Sequence, residues 1–218
     1  MTVLSILESR GFSNLPRSRS TKSLAHSHSL GVWLLAAVAV ASAGLIFLAP
    51  SVSNGQQASG KLVLKTTAFQ PGGNIPKQFT CDGADASPAL SWSDPPPGTR
   101  SFTLIMDDPD APGATFAHWV AYNLPPSTRH LPERVPGNGE MRSGGMQGVN
   151  DFPKTGYGGP CPPPGKAHRY FFRLYALDSM LNLKAGAHRA EVDRAMKGHV
   201  LAQAELMGTF ARWVRVDP

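Results

Sequence analysis

The chain has 218 residues, of which 41% are hydrophobic and 17% charged, with a formal net charge of +6. That composition excludes a disordered or collagen-like chain and allows one domain or two small ones. Arg10, Arg17, Arg19 and Lys22 against Glu8 place +3 of the charge in residues 1–60. The rest of the chain has no Lys/Arg-rich run with interleaved aromatics, so nucleic acid is not expected as a partner.

Residues 1–29 form a basic flank before an uncharged, apolar stretch at 30–49, and Pro50 to Gly60 read as a polar linker. About 20 apolar residues are enough to span a bilayer as a helix. A basic flank before such a run also describes a secretory signal, and small residues suited to cleavage stand at Ala41-Ser42-Ala43 and Ser51-Val52-Ser53. A signal sequence and an uncleaved transmembrane anchor both keep the basic end in the cytoplasm. Either one carries residues 61–218 to the periplasm, released or tethered to the inner membrane. His26 and His28 belong to this polar flank and are not read as metal ligands.

No internal repeat is visible in the exported part. Lys61 to Thr66 alternates polar and apolar and predicts a first strand. Residues 70–88 are rich in turn formers, and Ala89 to Ser93 predicts a short strand ended by Asp94-Pro95-Pro96-Pro97-Gly98. Ser101 to Asp107 follows, with Phe102, Leu104 and Met106 on one face, then His118 to Asn123. Residues 125–166 carry only turn chemistry, and so long a loop is unusual unless it is functional. Arg169 to Leu177 places Tyr170, Phe172, Leu174 and Ala176 on one face.

Val192, Ala195, Met196, Val200, Ala204 and Met207 recur at three- and four-residue spacing. They predict a helix over Ala190–Met207, stopped by Gly208, with a last strand over Thr209–Val216. Strands outnumber the one late helix, so the predicted class is mainly β.

Two cysteines, Cys81 and Cys161, fall in the exported part. An even count in an oxidising compartment makes a disulfide the default reading, worth roughly 4–5 kcal/mol for a loop of about 80 residues. Sequence leaves open whether the sulfurs meet. If Cys161 is a free thiol, a hydrolase becomes an alternative, with Cys161 as nucleophile and His168 as base.

The chemistry-bearing residues stand at strand ends. Asp108 keeps phase with Phe102, Leu104 and Met106, His168 with Tyr170, Phe172 and Leu174, and His118 with Val120 and Tyr122. Polar groups above apolar faces, beside a Gly/Pro-rich loop, describe a concave site for a small anion. Imidazoles suit an anion, and backbone N–H groups of the Gly156–Gly159 turn could add donors. A histidine at a strand start also serves as an ordinary structural group, and the residues alone leave the two readings open. Asp108, His118 and His168 also make a legitimate metal-ligand set, but they include no closely spaced pair, so no metal is expected. Arg169 reads as structural, paired with a carboxylate such as Asp110.

Several stretches together carry more than spacing does. They are Asp107-Asp108-Pro109-Asp110-Ala111-Pro112, His118-Trp119-Val120, Gly159-Pro160-Cys161-Pro162-Pro163-Pro164-Gly165 and His168-Arg169-Tyr170. With Cys81-Asp82-Gly83, Asn150-Asp151-Phe152 and Gly198-His199-Val200, they resemble the phosphatidylethanolamine-binding protein family, also called Raf-kinase-inhibitor-like, in its bacterial YbhB/YbcL branch. The resemblance covers essentially all of 61–218. It implies antiparallel sheets with a pocket at one end that takes phosphate-like groups and phospholipid headgroups. The positions carried over by motif are Asp108, Pro112, His118, Pro162, Pro163, His168 and Tyr170.

The resemblance further implies a homodimer, no cofactor, no catalysis and an inhibitory or modulating role toward a protein partner. Eukaryotic members end in a helix that lines the pocket, whereas this chain stops at Pro218 soon after its last predicted strand. Kinase control through such a segment is therefore not implied.

Overall fold

A computed structural model describes residues 61–213. The predicted leader and the last five residues lie outside the described part. Among the described residues no helix is long and apolar enough to cross a membrane.

The strands run β1 (Leu64–Lys65), β2 (Leu90–Trp92), β3 (Ser101–Asp108), β4 (Phe116–Leu124), β5 (His130–Leu131), β6 (Met146–Gln147), β7 (His168–Leu177) and β8 (Val200–Phe210). Helix α1 (Arg189–Met196) lies between β7 and β8. Three strands form a small sheet in the order β1-β2-β5, and five form a larger one, β6-β4-β3-β7-β8. All the pairings between these strands are antiparallel. This is the mainly β architecture that the strand-rich sequence predicts.

The two sheets share one core. Leu62, Leu64, Leu90 and Trp92 from the small sheet's side meet Phe102, Leu104, Met106, Phe172, Leu174 and Leu206 of the larger one. On the opposite face, Ile105, Val120, Tyr122 and Leu177 form a second core with Val192 and Met196 of α1. Strand β3 is central and covered on both sides, so all eight of its residues are buried. Phe102, Leu104 and Met106 face the shared core and Ile105 the α1 side, while Ser101, Thr103, Asp107 and Asp108 are polar groups buried in the same strand.

The predicted long helix is corrected. α1 ends at Met196, and Gly198, at φ +85°, turns the chain into β8. Val192 and Met196 are buried at helical spacing, but beyond them Ala204, Leu206, Gly208 and Phe210 are buried at period two. Val200 and Ala204 share a face in a helix and in a strand alike, and cross-strand pairing to β7 decided for the strand, which puts Met207 on the other face. Gly208 is not a helix stop. A Cβ there would sit 2.7 Å from Ile75 Cγ1 and 2.8 Å from Phe69 Cε2, so close approach requires the glycine. The loop predicted over 125–166 also carries the short strands β5 and β6.

Candidate functional site

Six of the seven expected pocket residues line one cavity of about 140 Å³ at the end of the larger sheet. Asp108, Pro112, His118, Pro162, Pro163 and His168 share its wall with Ala111, Phe116, Phe152 and Cys161. Drug-sized ligands fill roughly 300–1,000 Å³, so this cavity suits a group of a few heavy atoms.

Asp108 ends β3 and keeps the phase that its sequence predicts. Its Oδ1 accepts the Asp110 N–H at 2.8 Å, which turns the chain into the Ala111-Pro112 lip. Its Oδ2 lies 2.8 Å from Nδ1 of His168, the first residue of β7. The His168 and Asp108 side chains are only 12% and 4% exposed, so this pair is largely shielded from water. Beside it, the Arg169 guanidinium makes two hydrogen bonds to Asp110, at 2.8 and 2.7 Å, as expected of a structural pair. Those bonds hold the Asp110 carboxyl far below the usual carboxylate range.

His118 reaches the pocket by a route the sequence does not show. Met106 pairs with Trp119 but Asp107 pairs with Ala117, so His118 is the extra residue of a β-bulge in β4. A bulge re-aims a side chain beside a site. The predicted phase with Val120 and Tyr122 is therefore overturned. Those two side chains belong to the core under α1, whereas the His118 ring packs on Tyr170 at 5.2 Å, Phe152 at 5.2 Å and Phe116 at 5.1 Å. Its Nδ1 lies 2.8 Å from the Gly158 carbonyl. A carbonyl only accepts, so Nδ1 carries a proton. Burial holds the His118 pKa below its ordinary 6.5, against the opposing pull of the Gly158 carbonyl and the Asp108 charge.

Tyr170 stands apart from the other six. It does not line the cavity and is fully buried behind His118, ring against ring at 88°. Burial first, then the Asp108 charge, raises its phenol well above the ordinary value. The hydroxyl finds no partner of good hydrogen-bond geometry, although Asp108 is near enough to act on it.

The proline loop is pinned by the Cys81–Cys161 disulfide, with the Cα atoms 5.4 Å apart, and by the Cys81 N–H donating to the Pro160 carbonyl at 3.2 Å. This removes the thiol on which the hydrolase alternative depended, because no cysteine is free among the described residues. The anion nest expected at Gly156–Gly159 is also overturned. The N–H groups of Gly156, Gly158 and Gly159 are spent on the Gly148 carbonyl, the His118 carbonyl and Asp85 Oδ1. Among the described residues no group of three metal-ligating side chains converges.

Phe116 and Phe152 line the pocket although the sequence does not mark either as a pocket position. The signal for Phe152 was Asn150 two residues earlier. Asn150 Oδ1 accepts the N–H groups of Phe152 and Lys154 at 3.0 and 3.1 Å, and its Nδ2 donates to the Gly156 carbonyl at 3.0 Å. A buried asparagine that knots its own loop fixes whatever apolar residue it carries.

Comparison with known proteins shows the family. The phosphatidylethanolamine-binding protein family description matches residues 65–211. A UPF0098 protein of Methanothermobacter thermautotrophicus is 52% identical over 149 residues, covering 68% of this chain and 98% of its own length. A UPF0098 protein of Aquifex aeolicus is 53% identical over 147 residues, covering 66% and 85%. Among solved structures, a phosphatidylethanolamine-binding protein homologue from Chlamydia trachomatis superposes with a TM-score of 0.64 at 39% identity, covering 71% of this chain and 99% of that one. YbcL of E. coli, described as a member of the mammalian family, gives 0.66 at 31% identity, covering 70% and 99%. On these matches, the chain belongs to the phosphatidylethanolamine-binding protein family.

Proposed function

We propose that this chain is a non-catalytic binding protein whose pocket takes a small oxyanion, such as a phosphate or a phospholipid headgroup, on the outer side of the cytoplasmic membrane. The carrying observation is that His118 and His168, which are 50 positions apart in the sequence, line one small cavity whose remaining wall is mainly Ala, Pro and Phe. Both rings are already anchored through Nδ1, by Gly158 and Asp108, so little ordering is left for a ligand to impose. Placement outside the cytoplasm rests on the basic flank and the apolar stretch 30–49.

Titration calorimetry of the full chain in a nonionic detergent, with inorganic phosphate and phosphoethanolamine, tests this reading. His118→Ala and His168→Ala should each weaken binding by about 1.5–3 kcal/mol, the usual worth of a hydrogen bond to a charged group. Unchanged affinity in both folded variants would remove the two imidazoles from the site.

A further inference from the structure

The hydrogen bonds that anchor the two imidazoles also decide what they can offer a ligand. Nδ1 of His118 must carry its proton, because its partner, the Gly158 carbonyl, can only accept. Nδ1 of His168 faces the Asp108 carboxylate at 2.8 Å, and the same carboxylate accepts the Asp110 N–H through its other oxygen. Asp108 therefore acts as an acceptor on both sides. In each neutral ring the remaining nitrogen, Nε2, is then a bare lone pair. Neither Nε2 has a protein partner among the described residues, and neither is sealed away as a buried orphan.

An oxyanion entering between two lone pairs would be repelled, since both sides are acceptors. The Pro, Phe and Ala side chains around it supply no N–H or O–H. Hydrogen added between an oxygen of the ion and one Nε2 turns that repulsion into a hydrogen bond, and the two Nε2 atoms are the side-chain nitrogens placed to carry it.

We infer that anion binding at this site is coupled to proton uptake, so that the protein captures its ligand together with about one proton. The inference rests on the anion-pocket reading above. The proton comes from solvent or buffer and forms an N–H bond at Nε2 of His118 or His168, so that one hydrogen lies between ion and ring. The groups that face the rings set the balance. Asp108 from β3 and Asp151 from the loop after β6 favour an imidazolium at His118, and burial opposes it. Tyr170 from β7 faces His118 as a neutral phenol, while Arg169 and Asp110 beside His168 are paired with one another. A bound anion supplies the countercharge that buried His118 lacks. The chemical class favoured is thus a phosphate-type oxyanion that can carry or attract a proton, and the site releases it as pH rises.

The test is calorimetry of the full chain in nonionic detergent with sulfate, whose charge is fixed. Titrations at about pH 7.5 are run in buffers of low and high ionisation enthalpy, such as PIPES and Tris. The expected result is a slope of observed enthalpy against buffer enthalpy near one proton per sulfate, shrinking as pH falls. Affinity should fall about tenfold per pH unit on the alkaline side, as coupling to one proton requires. His118→Gln and His168→Gln each place an amide N–H donor near the position of Nε2 and should flatten that profile. A zero slope with clear binding heat overturns the coupling and leaves the pocket reading standing. Full uptake retained in both Gln variants overturns its assignment to the imidazoles. No binding heat with sulfate, phosphate or phosphoethanolamine at any pH from about 5.5 to 8.5 overturns the pocket reading itself.

Discussion

Asp107 and Asp108 are consecutive in sequence and serve opposite faces of β3. Asp108 turns into the pocket and binds His168. Asp107 is fully buried on the other face, paired with Arg173 of β7 and, at 2.7 Å, with Arg189 at the start of α1. The pleat separates a carboxylate that shapes the site from one that ties the helix to the sheet.

That separation predicts opposite phenotypes. Asp107→Ala leaves two arginines without their shared buried partner. Removing one side of a buried pair costs about 3–5 kcal/mol. Arg173 keeps Glu205 and Arg189 keeps Asp193, so the loss should lie near the low end. Asp108→Ala should unfold the chain less and weaken anion binding more, because His168 loses its anchor. Denaturant melts beside phosphate titrations of both variants would show the crossing, and parallel losses in the two would refute it.

The disulfide joins positions 80 residues apart. Replacing both Cys81 and Cys161 with Ser should destabilise the fold by about 4–5 kcal/mol in the chain-entropy model. Alkylation of the denatured native protein without reduction should label neither cysteine. Two labelled thiols would rule the crosslink out.

Gly159 sits where the loop before the prolines crosses the segment after Phe79. A Cβ there would strike the Phe79 carbonyl and come within 2.8 Å of Thr80 Cα, both backbone atoms that cannot swing aside. Gly159→Ala should cost about 1–3 kcal/mol, the range for overpacking. It should also loosen Pro162 and Pro163 at the pocket wall. A thermal melt matching wild type would contradict this.

His118 titrates below its ordinary value of 6.5 in the folded chain because it is buried. The unfolded chain therefore binds this proton more readily. Its contribution to stability is present above about pH 6.5 and is lost as pH falls through the folded value. The stability gap between wild type and His118→Gln should narrow from about pH 7.5 to 5 in buffers free of oxyanions. A widening gap would reverse the sign.

Export rests on the basic flank and residues 30–49. A reporter active only outside the cytoplasm, fused after Pro218, should be active. Silence from a stably expressed fusion would count against export, and N-terminal sequencing would separate cleavage from anchoring.

The strand pattern and the main site residues were legible in the chain itself, for local reasons. Alternation placed Phe102, Leu104 and Met106 on one face and Tyr170, Phe172, Leu174 and Ala176 on another, and these side chains do share a core. The same period carried Asp108 and His168 to the pocket end of their strands. What alternation could not show depends on partners distant in sequence. The bulge at His118 exists only in the register between β3 and β4, and it turns that imidazole away from the face its position suggests. Residues 200–207 fit two periods, and pairing with β7 chose the strand. The Gly156–Gly159 amides look like free donors until the Gly148 and His118 carbonyls and Asp85 fold onto them. Local side-chain pattern is a property of the chain, whereas register and hydrogen-bond saturation are properties of pairs, and only tertiary structure brings those pairs together.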